Sequence, residues 1–106
     1  MDSYVIFKTE NFEKRLGKID NVNQERILKD IQNKLVVNPV HNTKFLQGSM
    51  FKGKRSFRVG DYRVIFTICG ECKKLGHNRH NGCEGKNHPD NQIILWDVEH
   101  RKEDYK

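Results

Sequence analysis

The chain has 106 residues, a formal net charge of +6, an apolar fraction of 35% and a charged fraction of 32%. That length calls for one domain with a modest core, and the gathering of apolar residues into periodic segments excludes a disordered chain. No apolar run approaches the ~20 residues that span a bilayer, and Met1-Asp2-Ser3-Tyr4 does not open a signal peptide, so a cytoplasmic protein that avoids membranes is expected.

Residues 3–8 carry Tyr4, Val5, Ile6 and Phe7, a run with strong β preference, and read as the first strand. Thr9 is placed to cap a helix whose apolar face is Phe12, Leu16 and Ile19. Gly17 weakens that helix without forbidding it. Asn21 is the expected cap of a second helix, with Ile27, Leu28, Ile31 and Leu35 as its stripe. Asn38-Pro39 ends it, because a residue before proline avoids the helical region. The short link between the two predicts an antiparallel helical hairpin, and neither stripe can be buried without a sheet.

Residues 54–59 and 62–69 are two β-rich runs joined by Gly60-Asp61, a pair suited to a tight two-residue turn. That turn sets Val59 opposite Tyr62, Arg58 opposite Arg63, Phe57 opposite Val64 and Ser56 opposite Ile65. Side chains alternate across a strand. One face therefore carries Phe57, Val59, Tyr62, Val64, Phe66 and Ile68, ready for the helices. The other carries Lys54, Ser56, Arg58, Arg63 and Thr67. A last strand is predicted over 92–98, followed by Glu99, His100, Arg101 and Tyr105.

The charge excess is local. Residues 44–63 hold Lys44, Lys52, Lys54, Arg55, Arg58 and Arg63 against Asp61 alone, while the segments on either side are nearly balanced. Such a field favours a polyanion, and nucleic acid is the commonest one in a cell. Arg58 opposite Arg63 is unfavourable unless an anion neutralises the pair. Guanidinium forks match phosphate oxygens, and three cations on a rigid sheet suit a transition state that gains negative charge. His100 and Tyr105 add groups able to move protons.

Between the hairpin and the last strand, residues 69–91 form an aperiodic loop rich in Gly, Asn, His and Cys. All three cysteines, Cys69, Cys72 and Cys83, lie there. With His80 or His88 as the fourth ligand they make a Cys3His zinc site, structural rather than catalytic. Metal would order a loop too polar to fold alone.

Leu46-Gln47-Gly48, Lys52-Gly53-Lys54, the block Arg58-Val59-Gly60-Asp61-Tyr62-Arg63-Val64-Ile65-Phe66 and the ending Val98-Glu99-His100-Arg101 with Tyr105 together resemble the RelE/ParE toxin superfamily, its RelE-like branch in particular. The resemblance spans nearly the whole chain outside 70–91. It implies an α+β fold, a helical hairpin packed on a small twisted antiparallel sheet, as a single domain over 1–106 with 69–91 inserted.

It further implies the toxin of a type II toxin–antitoxin pair. Such a toxin is a ribosome-dependent endoribonuclease that cuts messenger RNA by attack of its own 2′-hydroxyl, requires no cofactor for catalysis and is silenced by a cognate antitoxin. Carried over residue by residue, the catalytic set is Lys54, Arg58, Arg63, His100, Arg101 and Tyr105. Lys44, Lys52 and Arg55 flank it as RNA contacts. Ser56 stands where some members place a second lysine, which leaves two alternatives: a non-catalytic, ParE-like inhibitor of gyrase, or a zinc-bearing RNA-binding module that does not cut.

Overall fold

The computed structural model describes residues 4–41, 43–45, 54–71 and 91–100. Five strands form one mixed sheet: β1 (Val5–Lys8), β2 (Thr43–Phe45), β3 (Arg55–Val59), β4 (Tyr62–Ile68) and β5 (Gln92–His100), in the order β1-β5-β4-β3-β2. The helices are α1 (Glu10–Gly17) and α2 (Asn21–Asp30), the latter continued by a π-helical turn over Ile31–Leu35. No helix among the described residues is long and apolar enough to cross a membrane.

The helices cover one face of the sheet. Phe12 and Leu16 of α1, Ile27 of α2, and Ile31 and Leu35 of the π turn join Phe57, Val64, Phe66, Ile93 and Leu95 in one buried cluster. Complete burial of a side chain of this size contributes about 1.5–3 kcal/mol. The stripes expected for both helices are therefore the ones that pack, with Leu28 and Ile19 at the margin. In the π turn the Val36 amide donates to the Ile31 carbonyl at 2.9 Å. The extra residue in that turn lets Leu35 and Val36 both point inward. The Val36 carbonyl then accepts from the Tyr4 amide at 3.2 Å, which ties the end of the helix to the start of β1.

Four boundaries differ from the sequence reading. Asp20, not Asn21, caps α2: its carboxylate accepts from the Asn23 amide at 3.2 Å and from the Asn23 side chain at 2.8 Å. Those bonds hold the Asp20 carboxyl below its ordinary value. β1 runs parallel to β5, so the sheet is mixed rather than antiparallel throughout. β2, unforeseen in sequence, extends the hairpin with Lys44 opposite Ser56. β5 runs two residues further than expected, to His100.

The β3–β4 register is the one the turn demanded, with Arg58 opposite Arg63 and Val59 opposite Tyr62. Gly60 turns the chain at φ +58°, a left-handed conformation that other residues adopt at a cost. A side chain there would also press on the Arg26 guanidinium, 2.9 Å from where its Cβ would stand.

Thr9 joins helix and sheet. Its hydroxyl accepts from the Phe12 amide at 3.2 Å, as an N-cap does, and donates to the Leu95 carbonyl at 2.8 Å. The Thr9 amide donates to the same carbonyl at 3.1 Å. Thr9→Ala removes the cap and the hydroxyl's tertiary bond together. The expected loss is about 1–2 kcal/mol in urea unfolding, with Thr9→Ser recovering most of it. An alanine variant as stable as the parent would mean that the cap is idle.

β5 carries a bulge. Ile65 faces Asp97 and Phe66 faces Leu95, so Trp96 has no opposite number. Helix α1 satisfies the disturbed backbone: the Asn11 amide side chain donates to the Trp96 carbonyl at 2.9 Å, and Arg15 Nε donates to the Val98 carbonyl at 3.3 Å. Arg15 also pairs with Asp97 at 3.1 Å. Burial pushes the Asp97 carboxyl up from its ordinary 3.8, and Arg15 offsets this only in part.

The folded chain therefore binds that proton more tightly than the unfolded chain does. The contribution of Asp97 to stability is largest below pH 3.8 and falls as pH rises through the raised value. On acidification from neutral pH, wild type should gain stability relative to Asp97→Asn in urea unfolding. A wild type that loses ground instead would refute this assignment.

Candidate functional site

The face of the sheet away from the helices carries the cations. Arg58 on β3 and Arg63 on β4 stand opposite each other there, in alternation with the inward Phe57, Val59, Tyr62 and Val64. Lys44 shares that face through its pairing with Ser56. Lys54 lies just before β3, its Nζ 5.1 Å from the centroid of the Trp96 ring. None of Lys54, Arg58 and Arg63 is turned toward the helices. Arg58 is exposed and the other two are partly so.

Like charges at Arg58 and Arg63 call for an anion, and the chain supplies one. Arg63 Nη2 donates to Glu99 Oε2 on β5 at 2.6 Å. Both side chains are largely buried, 17% and 15% exposed, so the pair is poorly screened by solvent. The cost of opposing arginines is thus offset across the next strand.

The β5 bulge decides which side chains reach this face. Ile93 and Leu95 point to the helices, and Val98 does so again, three positions on instead of two. The residue count between them changes parity, so Trp96 and Glu99 both lie on the outer side. Trp96 Nε1 donates to Thr67 Oγ1 at 2.9 Å, and its ring packs against Cys69 and Ile94. Sequence reading assigned Trp96 no part in the site and left Glu99 in a tail. The spacing Ile93, Leu95, Val98 was the available signal, because a regular strand would not skip from odd to even positions.

Two expected site residues lie on the face opposite the cationic group. His100 lies across from Tyr62 on the helix-side face, where their rings meet edge to face at 4.9 Å. The sheet itself separates His100 from Arg63, so it does not join the cationic group. Arg55 is 8% exposed and faces the same way. Its Nε and Nη2 donate to the two Glu71 oxygens at 2.8 and 2.7 Å, and its guanidinium lies 3.9 Å from the Phe45 ring centroid. This pair ties β3 to the turn after β4, on the face opposite the cationic group.

Cys69 follows β4 directly and is buried. Among the described residues no group of three or more His, Cys, Asp or Glu converges. Lys52, Cys72, His80, Cys83, His88, Arg101 and Tyr105 lie outside the described residues.

No protein-family model matches the chain, and no curated protein matches it in sequence. Solved structures do match it in three dimensions. The toxin–antitoxin complex RelBE2 from Mycobacterium tuberculosis aligns at a TM-score of 0.69 and 18% identity, over 94% of this chain and 100% of that one. The archaeal RelE–RelB complex from Pyrococcus horikoshii OT3 aligns at 0.62 and 19% identity, over 96% and 99%. The RelB–RelE antitoxin–toxin complex from Methanococcus jannaschii aligns at 0.56 and 21%, over 94% and 98%. Helices on one side of a five-stranded mixed sheet, matched from end to end in these structures, give this chain the RelE-like toxin fold.

Proposed function

We propose that this chain is the toxin of a type II toxin–antitoxin pair and an endoribonuclease that cuts messenger RNA on the ribosome. The observation that carries the reading is the common outward face of Lys54, Arg58 and Arg63, on a fold shared with RelE chains found in complex with RelB. In the reaction the RNA 2′-oxygen attacks the adjacent phosphorus, and the bond to the 5′-oxygen breaks. The products are a 2′,3′-cyclic phosphate and a 5′-hydroxyl.

Arg63 binds the phosphate. Lys54 and Arg58 stabilise the extra negative charge that develops as the phosphorus gains a fifth oxygen. Tyr105 and Arg101 remain the proposed partners from the C-terminal segment, and His100 is withdrawn because it lies across the sheet. Positive charge at the phosphate comes from side chains, so the scheme assigns no cofactor to catalysis. An antitoxin would silence the protein by covering this face.

The test is to add purified protein to translating ribosomes and map the message ends. Cuts within the ribosomal A site are expected, with binding that weakens steeply as salt rises. Intact messages at every protein concentration would remove the nuclease reading. Ser56, on the cationic face where a lysine would serve as base, favours the second reading of an RNA-binding module that does not cut. That reading keeps the salt dependence and lacks the cuts.

The segment after β4 is proposed as a structural zinc site, with Cys69, Cys72 and Cys83 and either His80 or His88 as ligands. A buried cysteine at position 69, where the strand ends, fits the first ligand. Metal analysis should find one zinc per chain, lost in a Cys72→Ser, Cys83→Ser double variant with a lower melting temperature. A chelator that halts cleavage at once without unfolding the protein would contradict a purely structural metal.

A further inference from the structure

β5 places a side chain against two of the three cations. Trp96 lies beneath the Lys54 ammonium, and Glu99 holds the Arg63 guanidinium. The two are three residues apart, a spacing that puts them on opposite faces of a regular strand. The bulge beside Trp96 lets Val98 return to the core and turns Glu99 outward with Trp96. Trp96 is itself fixed by its bond to Thr67, a fully buried hydroxyl on β4. Glu99 is braced by the depth of its pair. A bulge of this kind commonly redirects a side chain beside an active site.

We infer that Trp96 and Glu99 are positioning residues of the cationic site: they hold Lys54 and Arg63 in the geometry that meets the phosphate. The inference rests on the nuclease reading above and adds to it two residues that touch no substrate. Long side chains lose rotamer freedom when they bind an anion. Lys54 over an aromatic face and Arg63 on a carboxylate have already lost part of it, so less is lost at the moment of reaction. Arg58, exposed, has no such support among the described interactions, which makes Lys54 and Arg63 the ordered members of the trio.

The test uses Glu99→Gln, an isostere without the charge, and Trp96→Phe and Trp96→Leu, the first keeping a ring under Lys54. With wild-type kinetics as the reference, Glu99→Gln should lower kcat/KM by about 10²-fold, through a lower kcat and a higher KM, as expected when the phosphate-binding group is misplaced. Trp96→Phe should retain most of the activity and Trp96→Leu should lose it, at similar melting temperatures. Glu99→Gln that cuts as fast as wild type overturns the inference. Glu99→Gln that cuts faster does so too, because Glu99 would then be a competitor of the phosphate.

A second readout needs no activity. The Arg63 Nη–H resonances should be resolved and slow to exchange in wild type, where Nη2 meets Glu99, and averaged in Glu99→Gln. If wild type does not cut RNA, the nuclease reading falls, and these resonances still decide the positioning claim. Unchanged resonances refute it.

Discussion

Arg63→Ala is expected to lower cleavage by about 10²–10³-fold, the usual effect of removing one donor aimed at developing negative charge. The guanidinium sits on a rigid strand, in a pairing register shared with Arg58. Its loss takes away a fork that a point charge does not reproduce, so Arg63→Lys should recover only part of the rate. The substitution also leaves Glu99, a largely buried carboxylate, without this partner. That costs about 1–3 kcal/mol of stability, and melting must be followed alongside rate. Arg63→Ala combined with Glu99→Gln removes the stranded charge. If the double variant melts like wild type and still fails to cut, the loss belongs to the chemistry. If Arg63→Ala cuts at the parental rate, the cationic face is not where phosphate reacts.

Phe66→Ala is expected to produce the largest loss of stability, about 3–5 kcal/mol. Phe66 is completely buried at the middle of β4, between β3 and β5 and under the helices. A domain of this size holds only about 5–15 kcal/mol in total, so the variant should be partly unfolded at moderate temperature. Phe7→Ala is the control. Phe7 is also a strand phenylalanine, yet it lies on edge strand β1 with 46% of its surface exposed. Its removal should cost about 1–1.5 kcal/mol, well below the Phe66 loss, because about half of its surface stays in water. Equal urea midpoints for the two variants would mean that the core is not centred on β4.

Much of this was legible from local chemistry. A two-residue turn at Gly60-Asp61 leaves one way to pair the flanking strands, and alternation then assigns every side chain of the hairpin to a face. Thr9 before Phe12 and Leu16 announces a helix by its cap and its period. Those features depend on neighbours within a few residues, so the sequence alone determined them, and with them the clustering of Lys54, Arg58 and Arg63.

The tertiary structure decided the rest. β1 lies parallel to β5 because the chain returns to it after some eighty residues, and no local signal encodes that partner. The bulge near Trp96 answers to α1, whose Asn11 and Arg15 side chains meet the strand's carbonyls. It is the bulge, not the alternation read from sequence, that sends Glu99 to Arg63 and His100 to Tyr62. Arg55 was one more cation in a basic run until folding brought Glu71 beside it. A charge is a property of the residue, but its partner and the face it occupies are properties of the fold, and the face decides which cations stand together.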